Sequence, residues 1–197
     1  MESVRMNVWF VPLTVLDRNS KNRKCMDFKD LVQKRRSIRK YTDEKLTEDE
    51  KKTILRAGLM APTGHGERSW QFVAVDDKAM LESLSKSKEL GAEFIAGSVF
   101  AVAVAYDTTK STWIEDASIA AVTMQYQATD LGLGSCWAQV RDRQTSEGVS
   151  SKEYLTKLLG LDSNMEVLCI LGFGHPAIER KLQDEGKLQW ERVKILE

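Results

Sequence analysis

The run Val99 to Tyr106, VFAVAVAY, constrains this chain more than any other segment. Its valines and aromatics favour a strand, and successive side chains of a strand point to opposite faces, so both faces here are apolar. A strand of that kind belongs inside a sheet covered on both sides. The chain is therefore expected to build layers, with a central sheet and helices against each face. The apolar stretch around it, Phe94 to Tyr106, has 13 residues, too few for a membrane-spanning helix, which needs about 20.

Helical and strand patterns alternate on both sides of that run from Met26 onward. Asp27 can cap a short helix with Phe28, Leu31 and Val32 on one face. That helix ends in a run of positive charge, Arg35-Arg36-Ser37-Ile38-Arg39-Lys40-Tyr41. Thr47-Glu48-Asp49-Glu50 is a capping box, and it opens a helix carrying Ile54, Leu55, Gly58 and Leu59. Ala61-Pro62 stops this helix, because the residue before proline avoids the helical region. Trp70 to Asp76 reads as a buried strand, followed by short helices over Lys78–Ser85 and Ala92–Ala96. Asp116 to Leu131 is a helix with Ala117, Ala120, Ala121, Met124, Ala128 and Leu131 in line. Residues this small let another helix, or a second subunit, approach closely.

Ser135 to Val140 is the next expected strand, and Ser150 to Leu159 a helix capped by Ser150 with Glu153 three residues on. Gly160 falls at the helix C-cap. Val167 to Phe173 is a further buried strand, closed by Gly174-His175-Pro176. The tail, Ala177 to Glu197, is charged, with Leu188, Trp190, Val193 and Ile195 as its apolar anchors. Four or five strands among about six helices give layered α/β or α+β packing.

Length and composition narrow the function classes. The 197 residues suit a single domain. Lys plus Arg and Asp plus Glu number 29 each, so nothing in the charge asks for a nucleic-acid partner. Cys25, Cys136 and Cys169 are far apart and form no CxxC, which suits reduced thiols in a cytoplasmic protein. Two histidines, neither near a cysteine, make no dedicated metal site. No GxGxxG follows a strand and no GxxxxGK[ST] occurs, which disfavours standard nucleotide domains. Residues 1–25 stand apart as an N-terminal extension. Their apolar run is too short for a signal peptide, and an added strand is one form they could take.

Three features could carry chemistry. The basic cluster has two readings: cations that complement a helix C-terminus, or an anion site in which arginine forks and the Ser37 hydroxyl meet a phosphate. The segment APTGHGERSW, residues 61–70, is either a plain connecting turn or a glycine loop whose backbone approaches a ligand. LGLGSCWAQ, residues 131–139, joins a helix to a strand. Its Cys136 has no histidine placed to activate it and reads as structural.

Taken in order, RRSIRKY, APTGHGERSW, LGLGSCW and ILGFGHP (residues 170–176) resemble the nitroreductase family of flavoproteins, over about Met26 to Lys194. The resemblance implies an α+β sandwich around a central mixed sheet, with residues 26–197 as one FMN-binding domain. It implies a homodimer with FMN held between subunits and NAD(P)H as electron donor. Carried over residue by residue, Arg35, Arg36 and Ser37 would hold the FMN phosphate, and Arg39 would face the pyrimidine edge. A cation there stabilises charge that develops on reduction. Pro62, Thr63 and Gly64 would contact the flavin of the other subunit. Trp137, Ala138 and Gln139 would line the ring, with Gln139 offering an amide donor. Lys187 is the first choice for a second phosphate contact, with Arg180 and Lys181 as rivals.

In such proteins the cofactor does the hard step, so no catalytic side chain is expected. The implied reaction is a ping-pong cycle that reduces an electron-poor acceptor such as a nitroaromatic or quinone. A flavin-binding protein without turnover, serving storage, sensing or assembly, is the alternative. A dedicated metabolite stays open within the enzyme reading, because Gly66, Arg68 and Ser69 replace the family's usual Asn, Gln and Pro.

Overall fold

The structure, a computed structural model, describes residues 26–196. Residues 1–25, read above as an N-terminal extension, lie outside the described residues. In chain order the elements are α1 (Phe28–Lys34), α2 (Glu48–Leu59), β1 (Trp70–Val75), α3 (Lys78–Ser85), β2 (Phe100–Asp107), α4 (Trp113–Asp130), β3 (Gly134–Gln139), α5 (Ser151–Leu159) and β4 (Met165–Gly174). Short 3₁₀ turns stand at Gly64–Gly66, Glu93–Ile95, Glu185–Lys187 and Trp190–Arg192.

β2 lies inside the sheet, whose order is β1-β2-β4-β3. Its two faces divide the core. Ala101, Ala103 and Ala105 face one cluster with Leu81 and Leu84 of α3, Leu155 of α5, and Ile170. Phe100, Val102, Val104 and Tyr106 face the other, with Ile54 of α2 and Ala117, Ala121 and Met124 of α4. The seven positions from Phe100 to Tyr106 are all buried, as is Cys169, the β4 partner of Val104. The apolar run thus sits where its composition requires.

The local signals hold. Thr47 accepts from the Glu50 amide while the Glu50 side chain accepts from the Thr47 amide, a complete capping box. Ser150 accepts from the Glu153 amide, and Gly160 ends α5 at φ 63° in the left-handed region.

The α+β architecture is as expected, but its sheet is antiparallel at all three strand pairings. The expected mixed character reduces to one parallel bridge, Ser37 to Ser135, on the outer edge of β3. Consecutive strands are neighbours in β1–β2, joined through α3 and the 3₁₀ turn at Glu93–Ile95, and in β3–β4, joined through α5. β1 is half-exposed and not a buried strand, because it pairs only with β2 and leaves one edge free. α4 begins at Trp113, three residues ahead of the expected start. The tail anchors do not anchor: Leu188, Trp190, Val193 and Ile195 are all exposed. Phe28 and Val32 of α1 are exposed too, although Phe28 meets Tyr126 of α4 with ring centroids 5.7 Å apart.

Candidate functional site

The basic segment is laid across the end of the sheet by two glycines. A Cβ on Gly134 would come within 2.8 Å of Ile38, and one on Gly174 within 2.9 Å of Tyr41. Bare backbone at both positions lets residues 37–42 lie flat against β3 and β4. The Ile38 amide donates to the Ser135 carbonyl at 2.9 Å, and the Thr42 amide to the His175 carbonyl. Tyr41 donates its hydroxyl toward the Ile38 and Gly172 carbonyls. Burial pushes the Tyr41 phenol far above its ordinary range. α1 ends at Lys34, so Arg35 and Arg39 are not on one helical face as an extended helix would have them.

Beside this segment lies a groove of about 470 Å³, lined by Arg35, Ser37 and Trp137 on one side and by Ser118, Gln125 and Tyr126 of α4 on the other. That volume falls in the ~300–1,000 Å³ range of small-molecule sites. Sequence reasoning found the first three residues and missed the α4 wall. Ser118, Val122 and Gln125 follow helical spacing, but their stripe runs beside the alanine stripe that drew attention to this helix.

Cations gather around Cys136. Burial raises its thiol pKa, with Arg39, Ser37 and Arg35 near enough to oppose the rise. A thiol held protonated is no nucleophile, so the structural reading of Cys136 stands. Lys88 has its pKa lowered by burial and then by Arg143, and it lines a separate groove with Glu89, Asp142 and Arg143.

Trp137 and Gln139 share one face of β3. The Trp137 indole N–H donates to Gln139 Oε1 at 3.0 Å. Indole nitrogen is only a donor, so the carboxamide must turn its oxygen to Trp137 and its NH₂ away. Ala138 is fully buried on the opposite face, and only its backbone is available at this edge.

Arg36 is engaged elsewhere. Its Nη1 donates to the Lys181 carbonyl at 2.8 Å and more weakly to that of Leu182. Gln183 adds bonds to the Val32 and Arg35 carbonyls. Arg36 therefore clips the tail to α1 through Nη1, one corner of a guanidinium that carries five N–H donors. Lys187 is exposed, 3.9 Å from Asp184, and is not among the groove residues.

Pro62, Thr63 and Gly64 do not line the groove of their own chain. Their loop is tied instead to the start of α4, where the Gly64 amide donates to Asp116 Oδ1 at 2.8 Å. His65 at φ 54° and Arg68 at φ 50° are both left-handed. Arg68 is exposed.

A family model described as the nitroreductase family matches residues 32–114 and 94–175. The chain belongs to the nitroreductase family. Among nitroreductase structures, an FMN-dependent nitroreductase of Clostridium difficile R20291 is 38% identical, with a TM-score of 0.82 over 84% of this chain and 97% of that one. A nitroreductase of Bacteroides fragilis NCTC 9343, solved with bound FMN, shares the fold at 24% identity and a TM-score of 0.70, over 87% of this chain and 100% of that one. A protein of Archaeoglobus fulgidus, provisionally named NADH dehydrogenase/NAD(P)H nitroreductase, is 30% identical over 76% of this chain and 86% of its own length. Among the described residues of this nitroreductase, no helix is long and apolar enough to cross a membrane.

Proposed function

We propose that this chain is an FMN-dependent NAD(P)H oxidoreductase acting on an electron-poor acceptor of nitroaromatic or quinone type, as a homodimer. The groove between α4 and the Arg35–Ser37 segment is the observation that carries the reading. It combines a volume suited to a small molecule with the Arg35 guanidinium, the Ser37 hydroxyl and the Trp137 indole. Those features fit FMN: a dianionic phosphate calls for arginine and hydroxyl donors, and a flavin ring calls for an apolar wall with a few polar contacts.

FMN, when bound, would supply the two-electron chemistry of a ping-pong cycle between NAD(P)H and the acceptor. The chain's own residues bind and orient. Arg35, Arg36 and Ser37 would hold the phosphate, with Lys187 as a further contact and Arg180 and Lys181 as its rivals. Arg39 would place positive charge at the pyrimidine edge, where charge develops on reduction. The Trp137 indole, the Ala138 backbone and the Gln139 NH₂ line the ring edge. Pro62, Thr63 and Gly64 reach the cofactor of the partner subunit.

A dimer is supported by what one chain leaves bare. Phe28 and Val32 of α1, Ile119 of α4, and Leu188, Trp190 and Ile195 of the tail are exposed apolar side chains. So much apolar surface marks an interaction site. Residues 26–197 act as one FMN-binding domain.

The test is an absorption spectrum of the purified protein before and after anaerobic NADH or NADPH. Bands near ~450 nm that bleach with the donor and return with a quinone support the proposal. Bands that resist both donors favour a flavin-binding protein without turnover, and no flavin uptake from added FMN refutes the cofactor site.

A further inference from the structure

We propose that Asp116 is a positioning residue that holds the Pro62–Gly64 loop in the shape through which it meets the partner subunit's cofactor. The inference rests on the reading above. Asp116 stands in the first turn of α4 and is 2% exposed. Acidic side chains are almost never buried so fully unless something partners them. Here the partners are three neutral donors from three parts of the fold. The Gly64 amide donates to Oδ1 at 2.8 Å. The Tyr106 hydroxyl, at the end of β2, and the Thr112 hydroxyl donate to Oδ2 at 2.9 Å and 2.8 Å.

This carboxylate does not serve as the cap of α4. The N-cap position is Thr112, whose side chain makes no capping bond. What Asp116 fixes is the loop. Left-handed backbone at His65, Gly66 and Arg68 is strained for the two residues that carry a Cβ, and such conformations persist only where surroundings over-determine them. The loop is also pressed close, since a Cβ on Gly64 would come within 2.4 Å of Thr112 Oγ1. Further along α4, Ser118, Gln125 and Tyr126 line the groove of the same chain. One helix therefore carries a wall of its own cofactor site at one end and steadies the loop offered to the partner at the other.

The test uses the full-length dimer reconstituted with FMN, reading the FMN dissociation constant from quenching of flavin fluorescence. Asp116→Ala leaves the Gly64 amide without its partner and is expected to weaken FMN binding about tenfold or more, at unchanged dimer mass. Asp116→Asn restores binding, because its carbonyl takes the Gly64 amide while the two hydroxyls rotate to accept from its NH₂. A structural role alone would not predict the mixed dimer. Pairing an Arg35→Ala chain with an Asp116→Ala chain puts both defects in one site and leaves the other intact, so one tight site per dimer returns.

A mixed dimer with no tight site, or Asp116→Ala binding FMN as the wild type does, overturns the proposal. Should Asp116→Ala fail to fold, Gly64→Ala shifts the exposed loop off the same cluster, and its mixed dimer with Arg35→Ala must show the same complementation or the proposal falls. A wild-type protein that takes up no FMN overturns the underlying reading and this proposal together.

Discussion

Replacing Gly134 by Ala separates the positioning of the basic segment from the stability of the sheet. The new methyl would lie 2.8 Å from Ile38 Cγ2 and 2.9 Å from Ile38 Cβ, where carbon atoms prefer about 3.5–4.0 Å. Rotating the Ile38 side chain cannot relieve the contact with its own Cβ, so the backbone of residues 37–39 has to move. That movement stretches the 2.9 Å bond from the Ile38 amide to the Ser135 carbonyl and carries Arg35 and Ser37 with it. Overpacking of this kind costs about 1–3 kcal/mol, and each kcal/mol lowers Tm by roughly 2–4 °C in a chain of this size. Gly172→Ala is the control. It sits on β4 opposite Cys136, and its methyl would meet Phe94 at 3.0 Å and not a side chain of the basic segment, while its carbonyl remains available to Tyr41. Both variants are expected to lose stability in a thermal scan, whereas only Gly134→Ala should weaken FMN binding, by about tenfold for a misplaced phosphate contact. Equal FMN affinity in the two variants at similar Tm would refute the idea that this glycine sets the position of Arg35 and Ser37.

Other expectations follow from single interactions. Arg35→Ala removes a charge-assisted bond worth about 1.5–3 kcal/mol, so FMN affinity should fall roughly 10- to 150-fold in a fluorescence titration; unchanged affinity would remove Arg35 from the phosphate. Tyr41, Cys136 and Cys169 all have pKa values raised by burial, so the folded state keeps protons that the unfolded chain releases. Stability is then full below the thiols' ordinary pKa of about 8.5 and drops as pH rises through that value and the phenol's, about 10, which thermal scans across pH 7–11 would show. Trp190→Glu puts a charge on an exposed aromatic of the tail and should shift the dimer toward monomer in sedimentation at low protein concentration, with the far-ultraviolet spectrum unchanged.

Local signals in the sequence translated well into this fold because each is satisfied within a few residues. The capping box at Thr47 needs only Glu50, the stop at Ala61-Pro62 needs only its own sterics, and α3 runs over the very residues Lys78–Ser85 that its pattern marks. The two-faced apolar run placed β2 inside the sheet for the same reason: its composition leaves no other stable position. Arg36 could not be read that way. Three basic residues around Ser37 look alike in sequence, and only the return of the tail distinguishes them, giving Arg36 the Lys181 carbonyl while Arg35 faces the groove. Likewise the α4 wall was hidden, because Gln125 becomes a site residue only when residues 35–37 are laid against β3 by Gly134.

The tail anchors show a different limit. Periodicity states that Leu188, Trp190, Val193 and Ile195 require cover, and it is silent on which chain supplies it. One chain alone leaves them exposed, together with Phe28 and Val32 on α1. The same chain keeps Pro62 to Gly64 away from its own groove while holding that loop firmly on α4. Two independent features thus point the same way: apolar side chains exposed on one chain, and a loop fixed on α4 that does not line its own groove. A second copy would serve both at once, covering the bare surfaces and bringing its own groove to the loop. In the proposed dimer the fold of a single chain would be half of a site, with the tail anchors and the Pro62–Gly64 loop completed by the second copy.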